Sequence, residues 1–281
     1  MDLTLTLIMA GILGLIVGSF LNVVIVRLPR MLETKWRKAC HEFLELSTNE
    51  PASLFNLLRP RSQCPACHTP IKIIHNIPII SYLLLGGRCA HCQQKISLRY
   101  PIVEFMTGVL TIVVALQFAV TTTALAAALL TWILIVLFFI DLNTHYIPDE
   151  ISLSALWLGL FLSLYTVFIT PASAIMGAMM GYGILWVVAS LFKFIRKKDG
   201  MGQGDFKMLG MLGAWIGPTS VINVLLIAVI LGLSTAVLLL ATKKITLQRP
   251  MPFGPCIAVG GWLSLMLGPF LIRWLVPYLA Y

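Results

Sequence analysis

Apolar runs of about 20 residues recur along the chain, and they constrain its fold more than any other feature. A helix needs about 20 predominantly apolar residues to cross the hydrocarbon core of a bilayer. Only 11% of the residues are charged, and seven runs have the required length: 3–26, 103–120, 123–142, 151–169, 173–192, 219–241 and 255–279. An eighth run, at 205–217, is short and interrupted by glycine. The sequence therefore predicts an all-α polytopic membrane protein with about eight transmembrane helices.

The basic residues predict the orientation of these spans. Of the twenty Lys and Arg residues, eleven lie in 27–99, five in 193–207 and three in 243–249. Basic loops stay preferentially in the cytoplasm, so we expect these regions there and both termini in the periplasm. Membrane topology accounts for the net charge of +9. Because the basic residues form no compact patch interleaved with aromatic residues, nucleic acid is not an expected partner.

A single polar segment interrupts the apolar pattern, and it suggests three parts: a first span at 1–27, a cytoplasmic domain at 28–101 and a seven-span core at 102–281. The polar segment begins with TKWRKACHEFLEL, which predicts a helix either on the membrane surface or in solvent. It also contains five of the six cysteines.

Four of these cysteines form two C-x-x-C pairs, Cys64 with Cys67 and Cys89 with Cys92, separated by 21 residues. Two such turns complete a tetrahedral site that is typical of structural zinc. The alternative is two disulfides, which the reducing cytoplasm disfavours. The sequence thus predicts a zinc-ribbon-like insertion between spans 1 and 2.

Three acidic residues, Glu104, Asp141 and Asp205, lie within or at the ends of apolar spans, where an ionisable group is a functional candidate by default. The predicted topology places Asp141 and Asp205 at cytoplasmic span ends and hence at similar depth. Two carboxyl groups held close together share a proton and can activate water. For Asp205 alone, capping of a helix start is an equally good explanation.

Asp205 ends the glycine-rich stretch GMGQGD. Its glycines Gly200, Gly202 and Gly204 would allow close backbone approach and left-handed conformations. We expect this turn to accept an extended substrate.

Several motifs together resemble the type IV prepilin peptidase family. GMGQGDFKMLGMLGAW resembles the family's G-x-G-D segment, and IDLNTHYIPDEISL resembles its first aspartate motif. GSFLNVVIVRLPR, NIPIISYLLLGGRCAHC, RYPIVE and PFGPCIAVGGW follow the family's order along nearly the whole chain.

The resemblance implies an inner-membrane aspartic protease that cuts prepilins and pseudopilins after the Gly of their leader, with Asp141 and Asp205 as the catalytic pair. It also implies N-methylation of the new N-terminal residue with S-adenosylmethionine. Candidates for binding substrate or cofactor are Arg99, Tyr100, Glu104, Gly202 and Gly204. Glu104 has the alternative role of an acid at a helix start.

Other functions remain open on the sequence. Ser97-Leu98 replaces the Gly-Lys expected before RYP in methylating members, so a peptidase without methylation is one alternative. A membrane carrier using the aspartates as a proton relay is another, and a zinc-ribbon assembly factor is a third. Asn22, polar within the first span, predicts an interhelical hydrogen bond. Beyond its substrates and the lipid bilayer the sequence specifies no partner and no oligomeric state.

Overall fold

The computed structural model describes residues 2–46, 55–198, 200–242 and 251–275, and these are almost entirely helical. The α-helices are α1 (Leu3–Phe43), α2 (Ile80–Leu84), α3 (Arg99–Phe118), α4 (Thr122–Thr144), α5 (Asp149–Ser163), α6 (Pro171–Arg196), α7 (Gln203–Ala241) and α8 (Gly254–Leu275). A short 3-10 helix, Ile73–Asn76, precedes α2. Within the described ranges, extended pairing is limited to two isolated bridges, Gln63 with Pro70 and Arg88 with Lys95.

Five of these helices, α1, α3, α4, α6 and α7, are long and apolar enough to cross a membrane. The prediction of an all-helical membrane protein is confirmed, and the described residues contain five helices of spanning length where eight spans were predicted. The run 151–169 yields only the 15-residue α5, roughly 22 Å long, which is short of a hydrocarbon core of about 30 Å. The run 255–279 yields α8, whose described apolar part is Gly254–Gly268.

Two other predicted spans, 205–217 and 219–241, belong to one element, α7. Gly217 interrupts it with φ 82° and ψ 173°, and Pro218 follows. A positive φ is open to glycine, and proline lacks the N–H that would continue the helical ladder. α7 therefore consists of two helical segments that meet at a kink at Gly217, and the two apolar runs of the sequence correspond to these segments.

The chain divides into two compact units, 1–116 and 117–281. In the first unit, α1 packs against α3 through small residues, with Gly14 facing the Gly108 backbone. Asn22 donates from Nδ2 to the Tyr100 carbonyl over 3.0 Å, which confirms the predicted interhelical hydrogen bond. The segment TKWRKACHEFLEL continues α1 as far as Phe43 and is not a separate helix.

In the second unit, α7 is the central helix and packs against α5, α6 and α8. Gly177 of α6 and Gly213 of α7 bring the two backbones together, since a Cβ on Gly213 would lie 2.0 Å from the Gly177 carbonyl oxygen. Trp215 is almost fully buried and donates from Nε1 to the Ala155 carbonyl of α5 over 2.8 Å. This packing fixes the start of α7, where Asp205 lies.

Candidate active site and metal centre

Asp141 lies in the last turn of α4 and is only 5% exposed. Its Oδ2 accepts a buried hydrogen bond of 3.0 Å from the backbone N–H of Gly254, the first residue of α8. A Cβ on Gly254 would lie 2.6 Å from that oxygen, so the contact requires glycine. The end of α4 and the start of α8 therefore hold this carboxyl group between them.

The backbone donors at the start of α8 are otherwise used locally. Pro255 has no N–H, and the N–H groups of Cys256 and Ile257 both donate to the Phe253 carbonyl, over 3.0 Å and 3.1 Å. Gly254 thus supplies the amide of this turn that is directed at a carboxyl group.

Asp205 lies in the first turn of α7 and is 9% exposed. Its own N–H donates to the carbonyl of Gly202 over 3.3 Å, which closes the turn before the helix. The carboxyl groups of Asp205 and Asp141 are close enough to interact electrostatically. The structure thus brings the two aspartates from the end of one helix and the start of another into one buried polar site.

Ile147 links the two sides of this site. The side chain is 4% exposed. Its Cβ lies 2.9 Å from the position of a Cβ on Gly204, and its Cδ1 lies 3.0 Å from the position of a Cβ on Gly254. Ile147 therefore separates the starts of α7 and α8 and fixes the approach of the two aspartates.

The backbone conformation of the glycine-rich turn is not the one that the sequence predicted. None of Gly200, Gly202 and Gly204 has a positive φ, so the expectation of left-handed conformations is wrong. Close approach is correct for Gly204, which abuts Ile147. At Gly202, with φ −74°, the nearest atom to an added Cβ is Asp205 Oδ2 at 3.9 Å. Glycine here leaves open space beside the carboxyl group.

An ion pair lies next to Asp205. Lys207 Nζ donates to Asp149 Oδ2 over 2.6 Å, with the two side chains 24% and 43% exposed. Partly exposed pairs stabilise a fold by only about 0–1 kcal/mol. The pair connects the N-terminal parts of α7 and α5.

The four predicted cysteines form a cluster in the first unit, with all sulfur atoms within 4.8 Å of one another. The Sγ atoms of Cys64 and Cys92 are 3.7 Å apart. In a tetrahedral site with Zn–S bonds of about 2.3 Å, neighbouring sulfur atoms lie about 3.8 Å apart. All the cysteines are free thiols, so the two-disulfide alternative is not formed.

The two cysteine turns share one backbone pattern. Cys64 N–H donates to the Thr69 carbonyl and His68 N–H to the Cys64 carbonyl, and Cys89 and Gln93 repeat both bonds. His68 and Gln93 also share a left-handed conformation, with φ 54° and 59°. This repeat could not be found as a sequence period, because it resides in main-chain bonds.

The protonation of the sulfur atoms is uneven. Hydrogen bonds from the Thr69 hydroxyl and backbone lower the pKa of Cys67 to about 6. The backbone hydrogen bond from Gln94 favours the Cys92 thiolate, but local desolvation and the neighbouring sulfur atoms outweigh it and raise the pKa of Cys92 to about 11. A bound cation would remove this conflict, since a coordinating thiol is deprotonated outright.

The remaining candidates lie at the start of α3. The Arg99 guanidinium lies over the Tyr100 ring, 5.4 Å from its centroid. Glu104 is 9% exposed, and its Oε2 accepts the N–H of Ile79 over 2.8 Å. The Glu104 carboxylate, near the start of α3, therefore also binds the loop that contains Ile79.

Sequence reasoning missed Gly254 and Ile147. The motif PFGPCIAVGGW contains Gly254, but a backbone N–H donor has no side chain to signal its role. Ile147 resembles any other apolar residue in sequence.

Comparison with known proteins identifies the chain's relatives. The family described as "Bacterial Peptidase A24 N-terminal domain" matches residues 12–118, and the "Type IV leader peptidase family" matches residues 128–237. A protein of Neisseria gonorrhoeae named "Prepilin leader peptidase/N-methyltransferase" is 44% identical over 256 residues, covering 91% of this chain and 88% of that protein. Proteins of the same name from Pseudomonas putida and Pseudomonas aeruginosa are 44% and 42% identical, and each alignment covers 90% of the relative. These alignments cover 92% and 93% of this chain.

No solved structure matches the chain. The two family matches and the identity over nine-tenths of the sequence nevertheless agree with one another. The chain belongs to the type IV leader peptidase family.

Proposed function

We propose that this chain cleaves the leader from type IV prepilins and type II secretion pseudopilins after Gly, and N-methylates the new N-terminal residue with S-adenosylmethionine. The observation that carries the peptidase part is the buried pair of Asp141 and Asp205. The printed name of its relatives, prepilin leader peptidase/N-methyltransferase, supports both activities.

The pair provides acid and base together. Two carboxyl groups in a poorly hydrated site share a proton. The ionised group takes a proton from water as the water oxygen attacks the scissile carbonyl, and the protonated group donates to the carbonyl oxygen. Collapse of the tetrahedral intermediate then releases the amine of the mature chain, which takes a proton.

The open space beside Gly202 supports approach of an extended peptide. Because a Cβ there would lie 3.9 Å from Asp205 Oδ2, the missing side chain leaves room for a scissile bond. Gly204, packed on Ile147, positions the carboxyl group.

We propose that the basic loops lie in the cytoplasm and that the protein resides in the bacterial inner membrane, with its N-terminus periplasmic. The positive-inside distribution of Lys and Arg supports this orientation. The last residues of the chain, 276–281, lie outside the described residues. We further propose that 28–101 contributes the metal site and methylation and that 102–281 forms the peptidase core after the anchor at 1–27.

Zinc is the metal that the cysteine cluster fits. Four thiolate donors with sulfur spacings near that of a tetrahedron favour Zn²⁺ and close the site to water, which makes the metal structural. It would join the two cysteine turns into one rigid unit.

S-adenosylmethionine would supply a methyl group from its sulfonium to the new amine. The chain's residues fit such a ligand at the start of α3. Asn22 Oδ1 and Arg99 Nε are buried there without a hydrogen-bond partner, and a polar ligand would supply the missing hydrogen bonds. Arg99 would pair with its carboxylate, Glu104 would attract its cationic groups, and Tyr100 would offer an aromatic face.

The test is incubation of purified protein with a prepilin, with and without S-adenosylmethionine, followed by mass analysis of the product. We expect a product shortened by the leader, with one added methyl group only when S-adenosylmethionine is present. The variants Asp141→Asn and Asp205→Asn should leave the prepilin intact, whereas Glu150→Gln, an exposed acid on α5, should cleave normally. Cleavage without the methyl mass would reduce the protein to a peptidase.

A further inference from the structure

A stretch of the first unit, residues 73–87, contains no Asp, Glu, Lys or Arg, and Lys72 and Arg88 flank it. We call it the 73–87 segment. It contains the 3-10 helix and α2, which contact each other. Several of its large apolar side chains point outward: Ile74 is 72% exposed, Ile77 41%, Ile80 55%, Leu83 71% and Leu84 81%. Such a concentration of exposed apolar side chains in one short segment indicates an interaction surface.

The segment is tied to a membrane span. Glu104, in the second turn of α3, accepts the N–H of Ile79. Ile79 has φ 59°, a conformation that β-branched residues rarely adopt, so this loop is held in one defined conformation. Apolar side chains just before and within the start of α3 are exposed too: Leu98, Ile102 and Phe105 are 64%, 46% and 61% exposed.

The other end of the segment is tied to the metal centre. Gly87 donates its N–H to the Tyr82 carbonyl over 2.9 Å, and Ile96 donates to the Gly87 carbonyl over 2.8 Å. These bonds join α2 to the turn that contains Cys89 and Cys92. The segment is therefore fixed at both ends.

We propose that the 73–87 segment lies in the membrane interface, with its apolar side chains among the lipid acyl chains and Lys72 and Arg88 at the phosphates. Its 15 uncharged residues are too few to cross a bilayer, which needs about 20, but suit an interfacial element. Basic residues at either end extend to headgroups readily. The tether to α3 holds the segment at the depth where this span begins.

The position of the 73–87 segment also determines where the cysteine cluster lies. Because α2 is bonded to the second cysteine turn, the cluster lies on the same side of the bilayer as the start of α3. A lipid-bound segment and a span would then support the metal site from two directions.

The experiment is photocrosslinking of the full chain in membrane vesicles. The photoreactive residue p-benzoylphenylalanine replaces Leu84 in one variant, Ile74 in a second and Gln94 in a control. Gln94 is exposed and lies on the neighbouring cysteine turn. After irradiation, intact mass analysis detects any adduct.

We expect a phospholipid adduct at Leu84 and Ile74 and none at Gln94. Adducts to a protein at either segment position, whether a second copy or another chain, would overturn the proposal and assign the surface to protein docking. The absence of any phospholipid adduct at both positions, with the same background as Gln94, would place the segment in water and equally overturn it. Using two segment positions separates this outcome from local misfolding of one variant.

Discussion

Substitution of Gly254 by alanine tests how Asp141 is held. The added Cβ would lie 2.6 Å from Asp141 Oδ2 and 3.0 Å from both its Cγ and Ile147 Cδ1. Ordinary van der Waals contacts begin at 3.4 Å, so the carboxyl group must move by roughly 0.8 Å or the start of α8 must retreat. Either movement stretches the 3.0 Å bond from the Gly254 N–H.

The size of the effect follows from two estimates. A hydrogen bond to a charged group is worth about 1.5–3 kcal/mol, which is roughly a 10- to 150-fold change in rate. Misplacement of a catalytic group by about 1 Å costs about 100-fold. We therefore expect kcat for prepilin cleavage to fall about 100-fold, with a free energy of unfolding lower by about 1–3 kcal/mol from overpacking.

The assay is steady-state cleavage of a prepilin in lipid nanodiscs, which separates kcat from KM. Gly268→Ala, in the same helix, is the matched control, because an added Cβ there has no neighbouring atom of the described residues within 4 Å. If Gly254→Ala cleaved as fast as Gly268→Ala, Asp141 would not depend on the Gly254 amide and the reasoning would be refuted.

Three further changes test neighbouring parts of the account. Gly202→Ala should fold normally, because its φ and surroundings admit a methyl group, but it should raise KM by obstructing the substrate. Gly204→Ala should instead unfold at a lower temperature, because the added Cβ would lie 2.9 Å from Ile147 Cβ. Thermal melts and cleavage kinetics that gave the same result for both variants would contradict this distinction. Lys207→Met should lower the free energy of unfolding by no more than about 1 kcal/mol, since its ion pair with Asp149 is partly exposed. A larger loss in a denaturant titration would show that the ion pair contributes more than a partly exposed pair can. Cys64→Ser should abolish bound zinc by elemental analysis while Cys40→Ser, an exposed cysteine outside the cluster, retains it; equal metal in both would exclude the cluster as the binding site.

The aspartate pair could be anticipated from sequence because charge within an apolar run is conspicuous. Asp141 and Asp205 both end or begin such runs, and the predicted topology placed them at similar depth. The four cysteines were equally conspicuous, since their spacing is typical of a metal site. Side-chain chemistry that is costly in its surroundings leaves a clear sequence signal.

The parts that sequence did not predict depend on the backbone. The Gly254 amide and the repeated bonds of the cysteine turns reside in main-chain geometry, which composition does not encode. Hydropathy likewise could not show where α5 ends, because its apolar run continues beyond Ser163, the last residue of the helix. Glycine in the G-x-G-D turn was expected for its conformational freedom, whereas Gly204 serves close packing and Gly202 leaves space.

The central claim is that Asp141 and Asp205 act as one catalytic unit. Its most direct test is kcat/KM for prepilin cleavage by Asp141→Asn, by Asp205→Asn and by the double variant, with Glu150→Gln as the control. Residues that act as a unit are strongly non-additive, so each single variant should lose as much activity as the double variant while the control retains it. A single variant that keeps the wild-type rate, or losses that add in the double variant, would contradict the account.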